Sequence, residues 1–122
     1  MFTLYVKDTF SAAHRIENYN GKCEGMHGHN FLVEVLLAGE RVGESGMLVD
    51  FKILKNYLKT ILDVLDHRYI NEIPFFRERA SSSEYLSMFI FSEFKNLLKE
   101  KELTLKEVRV WESEKAYAAY NE

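Results

Sequence analysis

The strongest constraint on the fold of this chain is a period of two in its apolar residues, which occurs near both ends of the sequence. Apolar residues alternate over residues 2–14 and again from about His27 to Ala38. Successive side chains of a strand point to opposite faces, so this alternation predicts two long, half-buried strands. Two shorter alternating runs, "TLKEVRVWES" and "KAYAAYNE", close the sequence. They predict a hairpin that turns at Ser113–Lys115.

Between these two pairs of strands, the apolar period becomes helical. Apolar residues recur at helical spacing from Phe51 to Leu65, directly after Asp50, which is a suitable N-cap. We expect this first helix to end near "LDHRYIN", ahead of the only proline, Pro74.

A second helix is predicted at "SSSE", where Ser81 and Glu84 have the spacing of a capping box. We expect it to continue to about Lys101. Apolar residues lie nearly all round this helix, in two stripes that contain Leu86 and Phe91. A surface helix usually has one narrower stripe, so the pattern predicts a second packing partner.

The predicted order of elements is β-β-α-α-β-β. This order favours an α+β fold in which two helices cover one face of a four-stranded antiparallel sheet. A length of 122 residues suits a single domain that spans residues 1–122.

The composition excludes several classes of partner. A net charge of −3, without a run of like charges, argues against nucleic acid. No apolar stretch approaches the ~18 residues that a membrane-spanning helix needs. The start "MFTLYVKDTF" lacks the features of a signal peptide, and one cysteine cannot form an internal disulfide. We therefore expect a cytoplasmic protein that binds neither nucleic acid nor membrane.

Three histidines lie in two motifs that the strand pattern brings together, "FSAAHRI" and "GKCEGMHGHN". His27 and His29 are two residues apart on one strand, so both side chains project to the same face. His14 ends the adjacent strand. Three imidazoles with an open fourth position are typical of a catalytic zinc site. The His-Gly-His sequence alone would also fit two histidines in a turn.

The only cysteine, Cys23, lies close to this predicted site, and its spacing to His27 permits two roles. It could be a fourth zinc ligand, or a thiolate made more acidic by the field of the metal. Asp66 and His67, at the end of the first predicted helix, bear on this choice because an aspartate that orients a histidine can help activate a cysteine. Both residues would also fit a solvated helix C-terminus.

Glu112 is the remaining candidate, because it shares parity with Val108 and Val110 on the face that we expect to be buried. A carboxylate on that face is costly unless it is paired. It could accept a planar pair of N–H groups, such as those of a pterin or guanine ring. The alternative is a strand-end residue that already lies in water.

Together these motifs closely resemble the 6-pyruvoyl-tetrahydropterin synthase and 6-carboxy-tetrahydropterin synthase family. The matching segments occur in family order: "FSAAHRI", "GKCEGMHGHNFLVEV", "GMLVDFKILK", "LDHRYIN", "SSSEYL" and "VRVWES". The resemblance implies a T-fold, whose subunits join their sheets into a barrel, typically as a homohexamer of two trimers. It also implies a zinc ion on His14, His27 and His29.

The same resemblance implies a role for each remaining candidate. Cys23 would be the catalytic base or acid, supported by Asp66 and His67, which a neighbouring subunit can supply in this family. Glu112 would anchor the pterin. Substrate contacts are also implied for the turn before the second helix, at Ser82 and Ser83, although Ser81-Ser82 stand where the family often has Pro-Thr.

The gap of three residues between Cys23 and His27 resembles the carboxy branch of the family, which serves deazapurine (queuosine) biosynthesis. The implied reaction converts 7,8-dihydroneopterin triphosphate into 6-carboxytetrahydropterin, acetaldehyde and triphosphate. Three alternatives remain: 6-pyruvoyl-tetrahydropterin synthesis, aldolase-type cleavage of unphosphorylated dihydroneopterin, and a non-catalytic protein that binds zinc or a pterin.

Overall fold

The computed structural model describes residues 1–17 and 25–122, and its elements follow the predicted order. They are β1 (Phe2–His14), β2 (His27–Gly39), α1 (Phe51–Leu62), two short 3₁₀ helices (Ile70–Glu72 and Pro74–Phe76), α2 (Ser83–Leu97), β3 (Thr104–Ser113) and β4 (Ala116–Tyr120). The four strands form one antiparallel sheet in the order β1-β2-β3-β4. The predicted α+β arrangement is therefore confirmed.

The pairing of β1 with β2 determines which residues meet at the end of the sheet. The register runs without a break from Phe2 opposite Gly39 to His14 opposite His27. Directly opposed residues of an antiparallel pair project to the same face. His14 and His27 therefore lie side by side, at the point where β1 ends and β2 begins.

Both helices pack on one face of the sheet, and the core lies between them. The β2 residues on this face are completely buried: Phe31, Val33, Val35 and Leu37. The rings of Phe10 and Phe31 stack with their centroids 4.8 Å apart. This pair lies next to the histidine end of the sheet, since the Phe31 ring also contacts His14 at a centroid distance of 5.5 Å. The apolar core thus extends to the histidines.

The first helix begins as predicted but ends earlier. The Asp50 side chain accepts a hydrogen bond from the backbone N–H of Lys52 at 2.9 Å, which confirms the N-cap. The helix ends at Leu62 rather than near residues 65–71. Beyond Leu62 the chain tightens into turns and approaches β1, where the His67 N–H donates to the carbonyl of Ser11. This tertiary hydrogen bond replaces further helical bonds.

The second helix differs from prediction at both ends. Its N-cap is Ser82, whose hydroxyl accepts from the backbone N–H of Tyr85, so the predicted capping box of Ser81 and Glu84 is wrong. The Ser81 hydroxyl is not available for a cap because it contacts groups beside β1. The helix ends at Leu97 rather than at Lys101.

Much of the broad apolar surface of α2 packs against other elements of the same chain. The Phe89 ring packs against Phe75 and Phe76 of the second 3₁₀ helix, with centroids 5.1 and 5.6 Å away. On another side, the Phe91 ring contacts Tyr120 of β4 at 5.1 Å. The segment between the two helices and the last strand therefore provide the second packing partner that the sequence predicts.

Candidate metal centre

The centre begins with His14, the last residue of β1, which is buried with 1% of its surface exposed. Its ring nitrogen Nδ1 lies 2.7 Å from the backbone carbonyl oxygen of Ser81. A carbonyl can only accept, so Nδ1 carries the proton, and the lone pair of the neutral ring is on Nε2. Proteins usually orient a metal-binding histidine in this way, through a hydrogen bond from the ring nitrogen that does not bind the metal.

The other two histidines converge on the same point from β2. The centroid of the His27 ring is 4.6 Å from that of His14, and the His29 centroid is 4.6 Å from that of His27. Nδ1 of His27 lies 3.0 Å from the carbonyl oxygen of Gly25, which again directs the lone pair to Nε2. The predicted convergence of three imidazoles is therefore seen among the described residues.

Glu112 joins this group. It lies beside an irregularity in the pairing of β3 with β4, between Trp111 and Ser113. Its Oε1 atom is 3.3 Å from Nε2 of His14 and 3.0 Å from Nε2 of His29. Irregular strand pairing re-aims a side chain, which is why such features recur beside functional sites. The Glu112 carboxylate therefore lies against the ring nitrogens of two histidines, and 43% of its side chain is exposed, so its position is partly solvated.

The donor set suits a divalent transition metal. One ligand atom from each of His14, His27, His29 and Glu112 lies within 4.8 Å of all the others. In a tetrahedral zinc site with Zn–N bonds of ~2.0–2.1 Å, neighbouring ligand atoms are about 3.4 Å apart. The two contacts of Glu112 are already close to that spacing. Neutral imidazole and carboxylate are also the ligand types that zinc accepts, so these residues fit the metal.

A cavity of about 640 Å³ opens directly beside the group. This volume is in the range of small-molecule sites. Ser83 Oγ is buried there and has no hydrogen-bond partner among the described residues. The hydroxyl of Ser82, in contrast, caps α2. The residues that line the cavity are His27, His29, Ser83, Glu84, Glu112, Ser113, Ala116, Tyr117 and Ala118.

The side chains of Asp66 and His67 contact each other outside the four-residue group. Nδ1 of His67 lies 2.9 Å from Oδ2 of Asp66. Adjacent residues of a helix could not face each other in this way, but His67 adopts a left-handed backbone conformation with φ of 57°. Its side chain is 83% exposed. It lines a second cavity of about 500 Å³, whose lining also includes Gly28, Asn30 and His29 of the metal group.

The Asp66 carboxyl has a pKa below its usual range, mainly because the backbone N–H of Ser11 donates to it at 2.9 Å and secondly because of His67. Stability from the ionised carboxylate is present above the unfolded-state pKa and is lost as the pH falls through the lower folded-state value. In an NMR titration we expect His67→Ala to raise this pKa only part of the way, since the Ser11 N–H remains. Titration of wild-type Asp66 at an ordinary value would contradict this geometry.

Cys23 lies outside the described residues, and its role stays a prediction. Two contacts of the site had no signal in the sequence. The carbonyl of Ser81 bonds to His14, and the carbonyl of Gly25 bonds to His27. A backbone group of this kind is invisible to motif analysis because any residue type could supply it.

Known proteins are similar to the chain along nearly its whole length. A family model described as 6-pyruvoyl tetrahydropterin synthase matches residues 3–122. A relative from Archaeoglobus fulgidus, provisionally named 6-carboxy-5,6,7,8-tetrahydropterin synthase, is 40% identical over 113 residues, which are 93% of this chain and 90% of the relative. A 6-carboxy-5,6,7,8-tetrahydropterin synthase from Haemophilus influenzae is 26% identical over 144 residues and covers 100% of both chains.

A solved structure gives the same result for the fold. The 6-pyruvoyl tetrahydropterin synthase of Caenorhabditis elegans superposes with a TM-score of 0.85 and 29% identity, covering 99% of this chain and 95% of that one. Fold and relatives together define the class, a T-fold tetrahydropterin synthase. Within it, the chain belongs to the 6-pyruvoyl tetrahydropterin synthase family. Among the described residues, no helix is both long and apolar enough to cross a bilayer.

Proposed function

We propose that the chain is a zinc-dependent 6-carboxy-5,6,7,8-tetrahydropterin synthase. Its substrate would be 7,8-dihydroneopterin triphosphate, converted with one water into 6-carboxytetrahydropterin, acetaldehyde and triphosphate. The observation that carries this proposal is the convergence of His14, His27, His29 and Glu112 beside a cavity of about 640 Å³. The carboxy branch is favoured by the name of the 40% identical relative and by the spacing of Cys23 to His27.

In this proposal His14, His27 and His29 hold the zinc ion. When bound, the metal would supply Lewis acidity that polarises the side-chain hydroxyls of the substrate and acidifies the adjacent C–H bond. Glu112 would accept the 2-amino and N3 hydrogens of the pterin ring. Its position supports this role, because 43% of its side chain is exposed and it lines the cavity. The buried Ser83 hydroxyl offers a further polar contact, and a contact from Ser82 remains a prediction.

Proton transfer is assigned to Cys23, with Asp66 and His67 as its supporting pair. Within one chain, His67 is 83% exposed and lines a second cavity of about 500 Å³, which has His29 in common with the cavity beside the metal group. This exposure leaves His67 accessible to another subunit and supports a shared site, in which the pair of one subunit serves the centre of a neighbour. We accordingly propose a homo-oligomer, a hexamer of two trimers that closes the sheets into a barrel, acting in the cytoplasm in deazapurine (queuosine) biosynthesis.

A second candidate is 6-pyruvoyl-tetrahydropterin synthesis. It is favoured by a Caenorhabditis elegans relative, provisionally named 6-pyruvoyl tetrahydrobiopterin synthase, that is 35% identical over 104 residues. The same metal group and pterin anchor would serve both reactions. The fate of the substrate side chain therefore separates them.

The direct test is product analysis by mass spectrometry after zinc-loaded protein is given 7,8-dihydroneopterin triphosphate. We expect 6-carboxytetrahydropterin and acetaldehyde in equal amounts. Zinc-stripped protein should form neither product, and light scattering is used to verify that this protein is still assembled. A 6-pyruvoyl product would transfer the chain to the second candidate. Unchanged substrate with a fully loaded oligomer would contradict both and favour a non-catalytic binding protein.

A further inference from the structure

We propose that Asn71 and the hydroxyl of Ser81 are positioning residues for the metal ligand His14. The inference rests on the metal site of the proposed function. Neither side chain belongs to the four-residue metal group or lines the cavity beside it. Each acts through the backbone that carries His14, at the point where β1 ends.

The Asn71 side chain forms two hydrogen bonds with the backbone of Arg15, the residue that follows the ligand, and we call this pair of bonds the clamp. Its Oδ1 atom accepts from the backbone N–H of Arg15 at 2.8 Å, and its Nδ2 atom donates to the Arg15 carbonyl at 2.8 Å. The Arg15 N–H belongs to the peptide unit that joins His14 to Arg15, and this unit is planar. The amide therefore holds both peptide planes that flank Arg15, one of which begins at the ligand.

Ser81 connects this clamp to the imidazole ring. The residue is completely buried, and its carbonyl accepts from Nδ1 of His14. Its hydroxyl lies 3.1 Å from the Arg15 carbonyl oxygen and 3.0 Å from Oδ1 of Asn71, so its single proton can be donated to either acceptor. The ring and the backbone of His14 are thereby fixed by one connected network, which leaves Nε2 aimed at the metal position.

The clamp is the last contact in a series along the free edge of β1. Alternate residues of this edge donate backbone N–H hydrogen bonds to the segment of residues 66–71, which lies between α1 and α2. The three contacts are Ser11 N–H to Oδ1 of Asp66, Ala13 N–H to the Arg68 carbonyl, and Arg15 N–H to Oδ1 of Asn71. One segment therefore holds both the Asp66–His67 pair and the strand end that carries His14.

The test compares Asn71→Ala and Ser81→Ala with two matched controls. Ser87→Ala removes the hydroxyl of another completely buried serine, which donates to the Glu84 carbonyl within α2 at 2.6 Å. Asn96→Ala removes an exposed amide from the same helix. Zinc dissociation constants are measured by competition with a chromophoric chelator, and ligand geometry by the visible absorption bands of the Co²⁺-loaded proteins.

Substitution of residues that orient metal ligands typically weakens metal binding by 10–100-fold. We expect Asn71→Ala and Ser81→Ala to raise the zinc dissociation constant about tenfold or more and to change the Co²⁺ bands. Ser87→Ala should lose stability without either effect, and Asn96→Ala should match wild type. If Asn71→Ala does not fold, the zinc dissociation constant and Co²⁺ bands of Ser81→Ala test the positioning role on their own. This variant retains the backbone carbonyl that binds His14.

Two further results are distinguishable. Wild-type affinity and unchanged Co²⁺ bands in Ser81→Ala and in a folded Asn71→Ala would overturn the positioning role and leave the proposed function intact. Failure of the wild-type protein to bind zinc or Co²⁺ would contradict the metal role in the proposed function, and the positioning role with it.

Discussion

Replacement of His27 by alanine is expected to abolish zinc binding and synthase turnover together. His27 supplies one of the three imidazoles in the group, and its ring lies at a centroid distance of 4.6 Å from both His14 and His29. Loss of a direct ligand should exceed the ~10–100-fold loss of affinity that follows from mutation of a residue that only orients a ligand. The measurement is zinc per subunit after dialysis, combined with product formation by the same sample.

The matched control for this prediction is Glu112→Gln, which preserves side-chain size and removes the charge. As a pterin anchor, Glu112 is expected to be dispensable for zinc binding, so this variant should retain the metal and lose activity. Loss of zinc from Glu112→Gln would instead identify the carboxylate as a fourth ligand, as its 3.0 Å contact with His29 permits. A normal zinc content in folded His27→Ala would contradict the three-histidine site.

The convergence of the histidines could be predicted because it follows from local chain geometry. His27 and His29 share a face through strand parity alone. By the same parity, His14 shares a face with the apolar residues of its own strand, β1. The exact pairing of His14 with His27 was not predictable. It depends on the register of β1 with β2, and the connection between these strands is too long for turn geometry to set it.

Other features were missed because they depend on contacts between residues far apart in the sequence. Glu34 alternates to the helix-free face and would be expected in water, yet only 7% of it is exposed. Its carboxylate accepts from the Tyr5 hydroxyl and the Trp111 indole N–H, which come from the two neighbouring strands. The hydrogen bond to Glu34 is the main cause that raises the pKa of Tyr5 to about 12. Periodicity reports the face of a residue, and it does not report which neighbours cover that face.

The turn before α2 shows the same limit at the site itself. Three consecutive serines offer equivalent caps, and local sequence favours Ser81 through its spacing to Glu84. Tertiary contacts reverse this preference, because the Ser81 hydroxyl is buried against the Arg15 carbonyl and Oδ1 of Asn71. The cap therefore moves to Ser82. The residue that looked like a local helix signal instead contacts the backbone of a metal ligand.

Replacement of Cys23 by alanine is expected to leave zinc binding intact and to reduce turnover by about 10²–10⁴-fold, the usual contribution of a general acid or base. The expectation follows from the convergence of His14, His27 and His29 without the cysteine, because three imidazoles with an open fourth position are typical of a catalytic zinc site. The measurements are zinc content, thermal stability and the rate of product formation. Loss of zinc with the fold intact would make Cys23 a ligand and overturn its catalytic assignment.

Cys23→Ser separates the chemistry of the thiol from its volume. A cysteine thiol ionises near pH ~8.5 and at lower pH in a positive field, so its thiolate can take up and return a proton near neutrality. A serine hydroxyl of similar size does not ionise in that range. If Cys23 moves the proton, the serine variant should be nearly as slow as the alanine variant, with zinc content unchanged. Near-normal turnover in either variant would transfer the proton step to another group, for which the Asp66–His67 pair is the first candidate.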